Sequence, residues 1–567
     1  MKGMRTSLSA LILMLVGLLA SPRALGAESG DWMRELGAIA IQDGGRVMPL
    51  EGYARRLAVD VTGRQRWSRS RGPEGYAGRE PLELLCDAMF QQQKMLHTPL
   101  IQVANKPFKA EVGLDASREF FSAVEIGSSE GVNRILREYQ EARSRDPQAS
   151  ATKHQRIALD LFDGANRLAA LCAGEPLPII PAGSGQTFRS VGLTGSAEGL
   201  EPVRDALREF GRVYTEGGDR LQAARRLREA VAAAGTLDAA QSRGVALEQF
   251  YDRHDPWRKT QLLYGAAIIA FGFSRLVWRR WLVAAALLLT GLGLAEHLLG
   301  LSLRVAILGR APVSNTFEAL LWMGIVAILV GLIAQLLSRK SYYLFGGVCA
   351  ALVSVLFAGL VPLTDRSNSL PAVLRSNYWL IVHVLTIVAS YGVLLVAAVL
   401  GHVYLVREVL LGKPAAGGEG QRLSHPIIAQ SYRTIQVGLL LLTAGTILGG
   451  VWAADSWGRF WGWDPKETWA LISIVVYFAV LHARYVGWLR DFGLAASAVL
   501  GFVVIVWTFY GVNYVMATGL HSYGFGSGGE LWVGLWAVAE IVFLLVCRWR
   551  YAALHRSGPS GVTPAAA

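Results

Sequence analysis

The sequence predicts an all-α polytopic membrane protein, with about nine transmembrane helices preceded by a mainly helical extracytoplasmic domain. Three observations lead there. Hydrophobic residues make up 52% of the 567 and charged residues only 17%, with a mean hydropathy of +0.34, all shifted toward a membrane protein. The shift is local: residues 28–259 read as ordinary soluble protein, whereas 260–550 is a series of apolar runs. The net charge of +12 sits largely in the short loops between those runs, the positive-inside pattern. The partner this implies is membrane lipid and not nucleic acid. Four cysteines, Cys86, Cys172, Cys349 and Cys547, never come closer than 86 positions, which excludes zinc-finger and iron–sulfur spacing.

The chain starts with a basic segment (Lys2, Arg5), a twelve-residue apolar core Leu8–Leu19, and small residues up to Ala27. That core is short for a span, so 1–27 reads as a secretory signal, with an uncleaved anchor as the alternative. Either reading puts 28–259 outside the cytoplasm, where Cys86 and Cys172 either pair or stay as buried thiols. Within this domain Asn133–Ala142, Val203–Tyr214 and Leu221–Ala233 show helical apolar spacing, separated by glycine-rich breaks. Ile41–Leu50 reads as a turn leading into a short apolar element, and the lone His97 and His154 as structural residues.

From Thr260 onward nine segments are long enough to cross about 30 Å of hydrocarbon: about 260–277, 281–303, 316–337, 342–361, 378–407, 432–453, 467–487, 493–516 and 530–549. Lys/Arg-rich loops at 274–280, 338–340, 407–422, 484–490 and 548–556 belong inside, as does the tail 551–567, and the intervening loops face outside. Arg304, Arg310, Arg366 and Arg375 lie on the outer side against this rule, which suggests either an anionic ligand there or plain solvated loops.

The outer loop before the seventh segment carries Trp457, Trp461, Trp463 and Trp469 within thirteen positions, with Gly458, Gly462 and the Asp464-Pro465 turn. This exceeds an interfacial aromatic belt. It offers a flat aromatic surface suited to stacking a large planar hydrophobic molecule.

The run WGRFWGWDPKETWALI resembles the tryptophan-rich "WWD" signature of the heme-handling protein family, most closely its CcsA-type members of the system II cytochrome c biogenesis pathway. The resemblance covers about residues 260–550, with the loop at 455–469. It implies that heme b, bound non-covalently as a substrate, is exported and presented against Trp457, Trp461, Trp463 and Asp464 on the outer face. It also implies covalent attachment to apocytochrome c, as a cytochrome c heme lyase (holocytochrome c synthase) component. The fold would then sit in a bacterial-type inner membrane.

Three histidines gain meaning from this topology. His383 lies about one and a half turns below the outer end of the fifth segment, and His521 follows the eighth on the same side. Two neutral imidazoles on opposite faces of a porphyrin make a low-spin bis-histidine iron site. The resemblance matches these two with the external axial ligands. His482 sits fifteen residues into the seventh segment, roughly 22 Å from its outer end. It matches the family's second transmembrane histidine, which holds heme in transit. In fused synthases the partner ligand comes from a ResB-like half that this chain does not display. A separate ResB-type protein or His402, at similar depth, are the candidates, and no ligand role for His482 is a third reading; His297 is disfavoured by depth.

Before the third segment, Asn315 and Glu318 read as a capping box, and Arg310 as a possible contact for a heme propionate. The reaction implied is addition of two cysteine thiols of a CxxCH segment across the heme vinyl groups, with no general acid or base evident in this chain. The alternatives are a heme transporter or chaperone that delivers without catalysing attachment, and an unrelated small-solute transporter.

Overall fold

Short amphipathic stretches divided by glycine build the first half of the chain, and long apolar stretches the second. The computed structural model describes residues 30–65, 72–73, 75–146, 151–183, 185–193, 199–274, 279–338, 342–360, 378–412, 425–516 and 530–556. The expected signal 1–27, Arg366, Arg375, His521 and the tail beyond 556 lie outside the described residues.

The N-terminal domain runs α1 (Asp31–Gly37), β1 (Ala40–Asp43), β2 (Arg46–Pro49), α2 (Leu50–Thr62), α3 (Pro81–Phe90), α4 (Gln92–His97), β3 (Ile101–Gln102), α5 (Lys106–Val112), β4 (Phe120–Phe121), α6 (Ala123–Ser128), α7 (Glu130–Arg145), α8 (Lys153–Cys172), β5 (Leu177–Ile180), β6 (Arg189–Val191), α9 (Glu201–Glu216), α10 (Arg220–Ala234) and α11 (Ala239–His254). The three helices expected from apolar spacing are α7, α9 and α10. The strands form three two-stranded antiparallel pairs. Ile41–Leu50, read as a turn before an apolar element, is the β1–β2 hairpin, with Asp43 opposite Arg46. Gly44 and Gly45 both take positive φ, 56° and 82°, the geometry a two-residue hairpin turn demands. One apolar core, including Trp32, Leu57, Phe108, Leu168 and Phe210, joins the elements up to α10, and a second small cluster of Ala40, Phe188 and Val245 seats α11. Cys86 and Cys172 are buried free thiols. Burial pushes the Cys86 thiol well up, and Cys172 up to about 11. His154 is structural, pairing with Glu111 and packing edge-on against Phe108.

Helix α11 ties this domain to the membrane part. Toward the domain, Glu248 pairs with Arg46 and Asp252 with Arg55. Asp255, in a left-handed conformation (φ 47°), then ends α11 and caps the next helix by accepting from Arg258 N at 3.3 Å. Toward the membrane part, His254 Nε2 meets Glu296 Oε2 at 2.7 Å.

The remaining elements are α12 (Pro256–Phe273), α13 (Arg279–Leu308), α14 (Thr316–Ser338), α15 (Tyr342–Leu360), α16 (Tyr378–Tyr404), α17 (Pro426–Trp457), α18 (Pro465–Tyr485), α19 (Asp491–Val506) and α20 (Glu530–Arg556). Helix α16 continues as a π-helix, Leu405–Leu410, and α19 as a second, Trp507–Met516. Among the described residues eight helices are long and apolar enough to cross a membrane, from Arg280–Leu308 to Leu531–Leu554. The first expected span, 260–277, is not among them. It falls on α12, whose start carries Arg258, Lys259, Thr260 and Gln261, leaving an apolar stretch from Leu262 to Phe273. The described apolar stretch of twelve residues rises about 18 Å, and residues 275–277, the end of the expected span, lie outside the described residues. The apolar window of α16 is 67% buried and that of α20 only 11%, so α16 is the central helix and α20 a peripheral one.

Arg304, expected to lie free on a loop or to hold an anion, instead ends α13 in a buried ion pair. Its Nη2 and Nε donate to Glu318 Oε1 at 2.8 and 3.2 Å, with side chains 5% and 1% exposed. Asn315 does cap α14, accepting from Glu318 N at 2.8 Å. The reciprocal bond goes one residue earlier, from Ser314 N to Glu318 Oε2 at 3.0 Å. Arg310 Nη2 also approaches Glu318, at 3.9 Å.

Removing one partner of a buried pair strands the other charge, at a cost of roughly 3–5 kcal/mol. Arg304→Met is therefore expected to lower the thermal unfolding midpoint of the detergent-solubilised protein sharply, and Glu318→Leu added to it to recover most of the loss. An Arg304→Met protein as stable as the parent would show that the pair has no structural role.

Candidate functional site

Helix α17 ends at Trp457, and Gly458 turns the chain in a left-handed conformation (φ 70°), its N–H bonding Ala454 O at 3.0 Å. Six residues later Asp464 caps α18. Its Oδ2 accepts from Lys466 N at 3.1 Å, while Glu467 Oε2 accepts from Asp464 N at 3.2 Å and from Gly462 N at 2.7 Å. This reciprocal cap, with Pro465 in the first helical position, determines the path of the loop. Asp464 is buried and points at its own helix start, so of the loop's four expected contact residues it has a structural duty.

Between the two caps Phe460 and Trp463 are exposed and Trp461 is half-buried. Trp461 and Trp463 stand perpendicular, centroids 5.9 Å apart. Trp463 is 69% exposed and adopts φ 57°, shared among described non-glycine residues only with Asp255. A bulky residue there costs about 1–3 kcal/mol, a strain that concentrates at binding sites. The Arg459 guanidinium lies directly over Gly462, and the Phe460 ring over Gly450, where a Cβ would come within 2.6 Å of it.

His383 is brought to this loop. Its Nδ1 lies 2.7 Å from Gly445 O. A carbonyl oxygen only accepts, so Nδ1 carries the proton and Nε2 the lone pair, the arrangement that orients an imidazole toward iron. The ring rests against α17 at Gly449, where a Cβ would lie 2.7 Å from its Cε1. Trp452 runs parallel to it at 6.5 Å and 8°, and Trp452 in turn meets Trp457 edge-on at 4.6 Å. A continuous aromatic path therefore joins His383 to the start of the loop.

The other histidines separate. His482 lies seventeen residues beyond Pro465 on α18, about 26 Å away at the helical rise, and is exposed on the helix surface. His402 is engaged at both nitrogens: Nδ1 meets Ala398 O at 2.9 Å and Nε2 meets Glu540 Oε2 at 2.9 Å, with its ring stacked on Phe543 at 5.2 Å. The described contacts of His402 thus run to α20 and not to His482. His297 is buried against Tyr264 Oη (3.1 Å) and the edge of Trp257, a packing role.

Sequence reasoning missed Gly445, Gly449, Trp452 and Glu540. The glycines at four-residue spacing in an apolar helix were a legible sign of close helix contact. So was Glu540, the one acidic residue between Leu531 and Leu554. Replacing an N-cap aspartate by alanine costs about 1 kcal/mol. Asp464→Ala is accordingly expected to lower the unfolding midpoint by a few degrees and Asp464→Asn hardly at all; equal effects would argue against the cap as its main duty.

Comparison with known proteins places this geometry. A family described as Cytochrome C assembly protein matches residues 313–521, from the start of α14 through the loop. The chain is 38% identical over 247 residues to the cytochrome c biogenesis protein CcsA of Prochlorococcus marinus (strain MIT 9303), covering 38% of this chain and 76% of that one. It is 36% identical over 307 residues to CcsA of Synechococcus sp. (strain WH7803), covering 46% and 94%. Protein NrfI of Wolinella succinogenes is 38% identical over 248 residues, which is 41% of this chain but only a quarter of that protein's length. The chain belongs to the cytochrome c assembly family as a CcsA-type multi-pass membrane protein, and its role is in cytochrome c maturation.

Proposed function

We propose that this chain binds heme b as a substrate against the Trp457–Trp463 loop and presents it for covalent attachment to apocytochrome c. The observation that carries the reading is His383: its Nδ1 proton is held by the Gly445 carbonyl, which turns Nε2 into the ligand nitrogen, beside an aromatic path through Trp452 to Trp457 at the start of the loop that carries the Trp461–Trp463 pair. His521 is the proposed second axial ligand and Trp457, Trp461 and Trp463 the stacking surface. In the attachment step each cysteine sulfur of a CxxCH segment forms a C–S bond to a vinyl carbon, and the thiol hydrogen goes to the other vinyl carbon. No net electrons are transferred. The chain's contribution is positioning, as a heme lyase component acting by geometry.

The proposed setting is a bacterial-type inner membrane, with residues 28–259 and the loop on the outer side, supported by the Lys/Arg distribution. His482, exposed at the far end of α18, suits a transit heme shared with a ResB-type membrane partner. His402 suits that role less, because Glu540 already occupies its Nε2.

The purified protein is expected to show a bis-histidine heme spectrum. His383→Gly should lose or shift it, with partial recovery on adding imidazole. Gly449→Val should do likewise without touching the histidine, because its side chain occupies the ring's place. Wild-type spectra in both variants would overturn the assignment of His383. Heme bound normally but an apocytochrome left immature, when the chain and its partner are supplied together, would favour the delivery reading over attachment.

Depth generates a separate expectation. His482→Ala should lower total heme in the isolated protein while leaving His383 intact, and His402→Ala should do so only if this chain supplies both transit ligands. Full heme content and normal maturation in His482→Ala would rule out a required transit site there.

A further inference from the structure

Three locally costly features meet beside the loop. Lys466 is the second residue of α18, where the positive end of the helix dipole disfavours a cation, and it lies at the edge of an apolar span, where a charge is expensive. Trp463, three positions earlier, is in the left-handed region. Trp507–Met516 is π-helical, a rare geometry found mostly at functional sites. One bond joins them: Lys466 Nζ donates to Asn513 Oδ1 at 2.8 Å. The amide is oriented for this, because Asn513 Nδ2 donates to Phe509 O at 2.9 Å and turns its oxygen toward Lys466.

The π-helix makes further contacts, to α14 and to α18 itself. Tyr514 Oη meets Thr316 Oγ1 at 3.0 Å, at the first residue of α14. Two residues on, Glu318 holds Arg304, which also reaches Tyr251 Oη of α11 at 3.4 Å. Thr508 Oγ1 pairs with Ser473 Oγ at 2.8 Å, and Trp507 meets Trp469 edge-on at 5.7 Å. The segment is held to α14 and to the body of α18, and Lys466 is the contact between it and α18 nearest the loop.

We infer that the Lys466–Asn513 bond is a positioning contact that sets the angle of the Trp461–Trp463 platform. It rests on the heme-binding reading of the loop. Neither residue is a ligand; both act through the backbone of the α18 start.

The test uses the purified full chain with and without heme. Lys466→Met and Asn513→Leu are expected to shift the Soret band and lower cytochrome maturation by about tenfold or more. They should also change the near-UV circular dichroism of the heme-free protein. The double variant should be no worse than the worse single one, because both break the same bond. Lys466→Arg, which keeps a cationic donor for Asn513 Oδ1 and leaves the amide's bond to Phe509 O intact, should retain most of the wild-type behaviour. Unchanged near-UV dichroism in either apolar variant, or additive losses in the double, would overturn the tie. A wild-type protein that takes up no heme would sink the functional reading instead, while the dichroism still decides the tie. Should Asn513→Leu fail to accumulate in membranes, Lys466→Met and Lys466→Arg give the same decision.

Discussion

The close approach of α16 and α17 at Gly445 and Gly449 is the constraint on which the rest of the site depends. With no Cβ at Gly449, the His383 ring fits against α17, and the Gly445 carbonyl comes within reach of its Nδ1. One contact thus decides three things: the tautomer of the imidazole, its orientation, and its distance from Trp452. The same helix then ends in Trp457 and hands the chain to the tryptophan loop. Packing between apolar helices has little hydrophobic driving force in lipid, so small residues that permit close contact supply it.

The loop is shaped from its far end. The Asp464 and Glu467 reciprocal cap, with Pro465 at the first helical position, starts α18 abruptly. Glu467 also accepts from Gly462 N, so one carboxylate holds both the helix start and the loop before it. Trp463 absorbs the remaining change of direction as a left-handed residue. Its ring is left exposed, with Trp461 half-buried beside it.

A polar chain connects this region to the N-terminal domain. Arg46–Glu248 and Arg55–Asp252 hold α11 on one side, and Tyr251, Arg304 and Glu318 continue from it to the start of α14. Buried ion pairs of this kind contribute little net stability but strongly penalise any arrangement that separates them. Their value here is a defined relation between the soluble helices and the membrane helices.

The sequence by itself determined the fold class, the position of eight spanning helices, the tryptophan loop and the histidines worth asking about. Each of these rests on local chemistry: apolar runs, charge in the loops, and an aromatic density that few loops carry. Even the Asn315 cap was legible, because a cap is written within four residues. Only the tertiary structure decided which of those histidines meet the loop. His383 and His402 share one helix and similar flanks, yet one faces Gly445 and the other Glu540 across 138 positions of chain. The pairing of Arg304 with Glu318 depended likewise on which neighbours arrived. Contacts between residues far apart in sequence are set by packing, and packing leaves no local signature beyond a glycine or a lone carboxylate in an apolar helix.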